Sequence, residues 1–292
     1  MRINSLLLHL LGISAMLKST TACVGGPQVD GNHDNHSCGT TALLVRRDDS
    51  QDDGLAPLLP KNREQEGLPV SNLMDDVRNG DVYDSWWFTA VAGALIHTRG
   101  RESIESLIED TGVGDGKADE PTDKAKFALR DYKGDPQKFE ILAKDIPSGA
   151  GLCNRRHWFL IGLMMAAQRL GGFLGCDTDK IAWGSPVDAF MMLTGKKAIL
   201  EQNRSAQQLR NRANAADKTP TIFGLGADPQ RKGNFQPWRW YTLMKVDEAK
   251  DSDEDSKIMY WDAEYAYNRT VKIGDIWDSV RKIVYLDETL DY

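Results

Sequence analysis

The stretch NGDVYDSWWFTAVAGALIH, from Asn79 to His97, passes abruptly from a polar loop to an apolar run, with Ser85 at the join. A hydroxyl or thiol at the start of a helix is well placed for nucleophilic chemistry. The helix dipole favours negative charge there, and the unpaired backbone N–H groups can hold an oxyanion. Such a nucleophile also needs a base within hydrogen-bond reach and a third group to orient that base. The same residues have a plainer role. Asp84 or Ser85 suits an N-cap, whose side-chain oxygen accepts a bond from a free N–H of the first turn. Ala90, Val91, Ala94 and Leu95 recur at helical spacing and predict one buried face.

Bases are few. The histidines are His9, His33, His36, His97 and His157, so none follows residue 157. His97 lies about three turns beyond Ser85, roughly 18 Å at 1.5 Å per residue, too far to take its proton. His157 stands four residues after Cys153, one helical turn on, and reads as a surface histidine beside a disulfide. His33 and His36 lie among Asp30, Asp34 and Cys38, at a spacing that matches no closed zinc site. DSDEDS, Asp251 to Ser256, alternates acids as a calcium loop would, but Ser256 stands where an EF-hand loop needs glycine. It reads as a solvated hairpin tip.

The elements that must position these residues begin near Leu68. A helix starts near Ser85, and Ser103 to Glu109 predicts a second. GVGDGKADEPTDK is a loop by its Gly, Pro and acid content. Phe127, Leu129, Phe139 and Ile141, with KGDP between them, predict a β-hairpin. HWFLIGLMMAAQRLGG is apolar all round and predicts a buried helix. Pro186 to Leu193 predicts a short helix ended by Thr194-Gly195, and Lys196 to Asp217 a longer polar one. Strands follow: TIFGL, RWYTLMKV, SKIMYWDAEYAY, TVKIGDIW and KIVYL. Helices first and strands after predict an α+β fold. Trp86-Trp87, Trp158, Trp183, Trp238 and Trp240 are a heavy aromatic load, some of it core.

The 292-residue chain is 41% hydrophobic and carries a formal charge of −7. It is long enough for one large domain or two lobes. The acidic balance speaks against nonspecific nucleic-acid binding and against an anionic membrane surface. MRINSLLLHLLGISAMLKSTTAC has the basic, apolar and small-residue order of a secretory signal peptide cut near Ala22, and its apolar run is too short to span a bilayer. Secretion makes two disulfides the expectation for Cys23, Cys38, Cys153 and Cys176; other pairings stay open, and locality favours Cys23–Cys38 and Cys153–Cys176. The sequons at Asn35, Asn203 and Asn268 are candidate glycan acceptors. Residues 23–66 read as a disordered leader or pro-segment. Arg46-Arg47 within it is either a processing site or part of a solvated charge run.

NGDVYDSWWFTAVAGAL is similar to the Gln-Gly-x-x-Gly-Asp-Cys-Trp motif and Ala-rich helix of the calpain catalytic domain, a branch of the papain-like cysteine peptidases. KFALRDYKGDPQKFEILAKDIP resembles that family's hairpin, HWFLIGLMMAAQRLGG its helix beginning at Trp, and GSPVDAFMMLTG its Gly-rich segment ending in Leu-Thr-Gly. RWYTLMKV falls where the family has its His-Ala-Tyr strand. The matches keep the family's order from about Leu68 to Tyr285. The resemblance implies a papain-like two-lobed fold, with a helical lobe over about 67–217 and an antiparallel β-rich lobe over about 218–292.

The resemblance also implies where catalysis would sit, and this chain departs at each position. The nucleophilic Cys is replaced by Ser85, the oxyanion Gln by Asn79 and the base His by Arg239. The orienting Asn falls at Trp261 or Asp262. A guanidinium stays protonated and cannot serve as base. The expected function is therefore a secreted pseudopeptidase that binds a peptide or protein. The alternatives are an active peptidase using Ser85 with Asp262 as base, and a structural, disulfide-stapled domain. Trp240 and Trp238 would fall near the cleft and could fill it; an open cleft beside Ser85 would favour binding or catalysis, and one plugged by Trp240 the structural class. The residues themselves ask for no cofactor, and calcium enters only through the resemblance. Neither nucleic acid nor membrane is an expected partner once the signal peptide is cut.

Overall fold

In the computed structural model, residues 58–59, 73–77, 85–109, 123–146, 157–172, 184–227 and 235–287 are described. They all fall within one unit, Leu43–Tyr292. The predicted α+β class holds: helices precede and flank two antiparallel sheets.

The helices are α1 (Trp86–Arg99), α2 (Glu102–Glu105), α3 (Phe159–Leu170), α4 (Pro186–Thr194) and α5 (Ala206–Ala215). α3 is buried from Phe159 to Ala167, as its unbroken apolar run predicts. α4 starts with Pro at N1 behind the N-cap Ser185, whose Oγ accepts from the Val187 N–H. It ends at Gly195, whose φ of 69° is the left-handed conformation that glycine adopts without strain.

The smaller sheet runs β1 (Ile108–Glu109), β2 (Lys124–Arg130), β3 (Pro136–Leu142) in that order. β2 and β3 are the predicted hairpin, closed by an Asp131 carboxylate that accepts the N–H groups of Lys133 and Asp135. The larger sheet contains β4 (Ala198–Gln202), β5 (Thr221–Leu225), β6 (Trp240–Glu248), β7 (Lys257–Asp262), β8 (Tyr267–Lys272) and β9 (Val280–Leu286), ordered β4-β9-β5-β6-β7-β8.

Alternation divides the large sheet between two apolar clusters. Trp240, Met244 and Trp261 face the cluster that holds α1, α3 and α4, while Tyr241, Leu243, Ile258 and Tyr260 face the one beneath α5. In the second, Phe223, Phe235, Tyr241 and Tyr260 pack with centroids 5.0 to 6.4 Å apart, in stacked and edge arrangements. α1 runs alongside β6 and is tied to it twice: Thr242 Oγ1 donates to the Ala90 carbonyl at 2.8 Å, and His97 Nε2 lies 3.0 Å from the Met244 carbonyl.

Four expectations are corrected. Lys196 to Asp217 is not one helix. β4 occupies its first part and pairs with β9, and α5 begins only after the N-cap Ser205. The second helix stops at Glu105, and Ile108 and Glu109 join β2 instead. SKIMYWDAEYAY is not one strand; the chain turns at residues 263–266, where Ala266 takes a positive φ of 54°, and returns as β8. His157 is not on the surface: it is buried, with Nδ1 2.8 Å from Asp76 Oδ2.

DSDEDS does form the tip between β6 and β7. Ser256 is its buried brace, its Oγ accepting from the Lys250 N–H at 3.0 Å and donating to the Ser252 carbonyl at 3.1 Å. Lys272 neutralises Asp255 at 2.6 Å, and Arg210 pairs with Asp253 at 2.7 Å.

Asp188, in the first turn of α4, has a buried Oδ2 without a hydrogen-bond partner among the described residues, and burial pushes its carboxyl above the usual value of 3.8. The folded state therefore binds its proton more readily than the unfolded chain, so this group's contribution to stability falls as pH rises through the raised value. Asp188→Asn removes that effect. At pH 7 the variant is expected to match or exceed the wild type by up to about 1 kcal/mol, a figure reduced because the residue is half exposed. The difference should shrink as pH falls toward about 4, as melting temperatures of the two proteins over that range would show.

Candidate functional site

The start of α1 sets the site. Ser85 holds the N-cap position, with φ −103° and ψ 52°, and its carbonyl accepts from the N–H groups of Phe88 and Thr89 at 2.9 and 3.0 Å. Its side chain makes no cap bond. The Oγ instead donates to the Met164 Sδ of α3 at 3.3 Å, and Ser85 is 0% exposed. Ser85 thus has the cap position without the side-chain bond, because α3 lies against it and takes its hydroxyl; Asp84, the other residue expected to cap, lies outside the described residues. A thioether is a weak acceptor and no base.

Arg239, just before β6, places its guanidinium 3.6 Å above the ring of Trp86, the residue after Ser85. This is favourable for a permanent cation on an indole. The side chain that the resemblance would set in place of a base is therefore spread over an aromatic face one residue from Ser85.

Asp262 ends β7 and is almost wholly buried. Its Oδ1 accepts the Glu264 N–H at 3.1 Å, and its Oδ2 lies 3.0 Å from Arg269 Nε in an ion pair whose side chains are 4% and 15% exposed. Burial still pushes the Asp262 carboxyl up, outweighing the downward pull of Arg269, of the backbone N–H groups and of Arg239. Arg269 also lies 4.5 and 4.8 Å from the ring centres of Tyr265 and Tyr267. Trp261, the other reading of the family's Asn position, donates from Nε1 to the Val77 carbonyl at 2.9 Å inside the core.

The register Thr242↔Trp261 sets the start of β6 beside the end of β7. Arg239 and Asp262 thus share one end of the sheet, and Arg239 carries the group to Trp86 and α1. Asn79, Cys23, Cys38, Cys153, Cys176 and Asn35 lie outside the described residues. Of the other sequons, Asn203 donates its Nδ2 to the Trp277 carbonyl at 2.8 Å and buries an Oδ1 without a partner among the described residues, whereas Asn268 on β8 is exposed.

Trp240 is half-buried against the first cluster, with its ring against Gly224. Trp238 does not fill a cleft: it is 70% exposed, in a turn after Pro237, at a positive φ of 59°. Two residues of this end carried no signal in the sequence reading: Glu264 and Arg269. Nothing in Pro237-Trp238 announces the positive φ of Trp238, since that turn position normally selects glycine.

Among the described residues no group of His, Cys, Asp and Glu is placed to hold a metal ion, and no helix is long and apolar enough to cross a membrane. The assembled site holds a buried serine, a stacked arginine and a buried acid already paired with a second arginine. No family model matches this chain, and no curated protein does.

Proposed function

We propose that the chain is a secreted, calpain-like pseudopeptidase of papain-like two-lobed form, which binds a peptide or protein without cutting it. The observation that carries this reading is the burial of Ser85: its hydroxyl has no exposed surface and is spent on Met164. Acyl transfer needs a nucleophile that a substrate carbonyl can reach and a base that takes its proton. The arrangement around α1 and β6 supports the resemblance, because the residue matching the family's base lies over the helix start that matches its nucleophile. Two features weigh against an active peptidase with Asp262 as base: that carboxylate is buried, and Arg269 already holds it. Secretion rests on the amino-terminal segment and its apolar run.

Incubating the purified protein with a degenerate peptide library, with and without calcium and beside Ser85→Ala, tests the reading. No cleavage above the Ser85→Ala control is the expected result. Cleavage that the substitution abolishes would make Ser85 a working nucleophile and overturn it.

A further inference from the structure

Three large aromatic side chains stand out toward solvent at one end of the six-stranded sheet. Trp238 precedes β6, Tyr265 lies in the turn between β7 and β8, and Tyr267 opens β8. The pairing of β6 with β7 and of β7 with β8 puts all three at the same edge of the sheet. Exposed aromatics gathered in one place are the composition of binding surfaces, since Trp and Tyr supply contact area at low entropic cost.

Trp238 adds a second, independent observation. A non-glycine residue at φ 59° carries backbone strain, and burial of the ring does not offset it, because the ring is 70% exposed. Glycine would serve the turn better. Its side chain therefore has no stabilising role to explain its presence there.

Glu264 precedes Tyr265 in the same turn, close enough for its charge to act on that ring. It is half-buried, and its carboxylate makes no hydrogen bond or ion pair among the described residues. Two arginines lie near enough to act on it, but both are engaged, Arg239 on Trp86 and Arg269 on Asp262. Burial and the neighbouring Asp262 push the Glu264 carboxyl up, outweighing the pull of Arg239 and Arg269. The acidic balance of the whole chain favours a basic partner in the same sense.

We propose that Trp238, Glu264, Tyr265 and Tyr267 form a docking surface for an extended peptide segment of a partner protein, one that sets a basic side chain on Glu264 and an apolar one against Trp238. This inference rests on the binding reading and gives it a place: the surface borders the helix start at Trp86 through Arg239. The basic group would pair with the Glu264 carboxylate, and the exposed Trp238 ring supplies the apolar contact.

The test is selection of a random decapeptide phage library on the immobilised full chain, followed by anisotropy of the enriched peptides on wild type, Trp238→Gly, Trp238→Ala and Glu264→Gln. Enriched peptides should carry Lys or Arg beside an apolar residue. Trp238→Gly should weaken binding at least about tenfold, in line with loss of an exposed aromatic anchor. It should also melt at or above the wild-type temperature, because it relieves the turn, so the loss cannot be ascribed to unfolding. Glu264→Gln should erase the preference for basic over neutral peptides. Peptides that bind wild type, Trp238→Gly and Trp238→Ala equally would overturn this surface while leaving the binding function standing. Enrichment of no peptide on the wild type would overturn both.

Discussion

Asp262→Ala is expected to destabilise the protein by about 3 kcal/mol, at the lower end of what breaking a buried ion pair costs. The lower end applies because Arg269 keeps some exposure and two tyrosine rings beside it. The loss has two sources: Arg269 is left without its counter-charge, and the Glu264 N–H loses its acceptor at the turn. Asp262→Asn retains that acceptor and should cost less. The double replacement Asp262→Ala with Arg269→Met should recover most of the loss, since a buried pair exchanged for apolar groups is often neutral. Urea unfolding of the four proteins closes the cycle. A loss in Asp262→Ala that Arg269→Met leaves untouched would show that the pair is not what Asp262 serves. The cycle bears on function too, because a carboxylate this committed to the fold is poorly placed to take a proton from Ser85.

Gly162→Ala carries the second large effect, against the ordinary sign. Alanine inside a helix normally gains about 1 kcal/mol over glycine. Here an added Cβ would lie 2.1 Å from Phe127 Cζ, because α3 crosses directly over the buried Phe127 of β2. Phe127 cannot withdraw easily, since Trp158 packs edge-on against it with centroids 5.8 Å apart. Overpacking of this kind costs about 1–3 kcal/mol, and so short an approach calls for the upper end, so after the helix gain the net change should be destabilising by about 2 kcal/mol. Combining it with Phe127→Leu should restore part of that loss, whereas Phe127→Leu alone should destabilise by leaving space. If Gly162→Ala proved as stable as the wild type, the close approach of α3 to β2 would be wrong. Gly184 makes a similar approach to Trp87, at 1.8 Å, so the same logic applies where α4 begins.

What the sequence made legible follows from how local each signal is. α4 was readable because its cap, its Pro at N1 and its terminal Gly are all within a dozen residues. The β2–β3 hairpin was readable from alternation and a turn rich in Gly, Asp and Pro. β4 was missed because AILEQ is short, lies at the edge of its sheet and leaves Leu200 exposed, so its polar surroundings resemble a helix. Ser205 was the overlooked sign, since its Oγ accepts the Gln208 N–H and fixes the start of α5 just beyond that strand. The site divides in the same way. The position of Ser85 at a helix start could be read directly. Its burial against Met164, the stacking of Arg239 on Trp86 and the pairing of Asp262 with Arg269 join residues 79, 153 and 7 positions apart, and no local pattern encodes the first two.

β8 is the last strand of its sheet among the described residues. The Ile273 N–H donates to the Ser256 carbonyl, which fixes the alternation of the β7–β8 ladder. The backbone groups of Asn268, Thr270 and Lys272 therefore point away from β7, as an open template for another strand. Its charged side chains guard it against self-association, and a glycan at the Asn268 sequon would add to that. A copy of β8 laid antiparallel alongside would gather Arg269 and Lys272 of both copies along one seam, and charged side chains on an edge strand oppose such pairing. A sugar on Asn268 would stand at the outward rim of the same strand. Protein made without glycosylation would then rely on charge alone to keep its copies apart, and its solubility would fall as salt screens those cations.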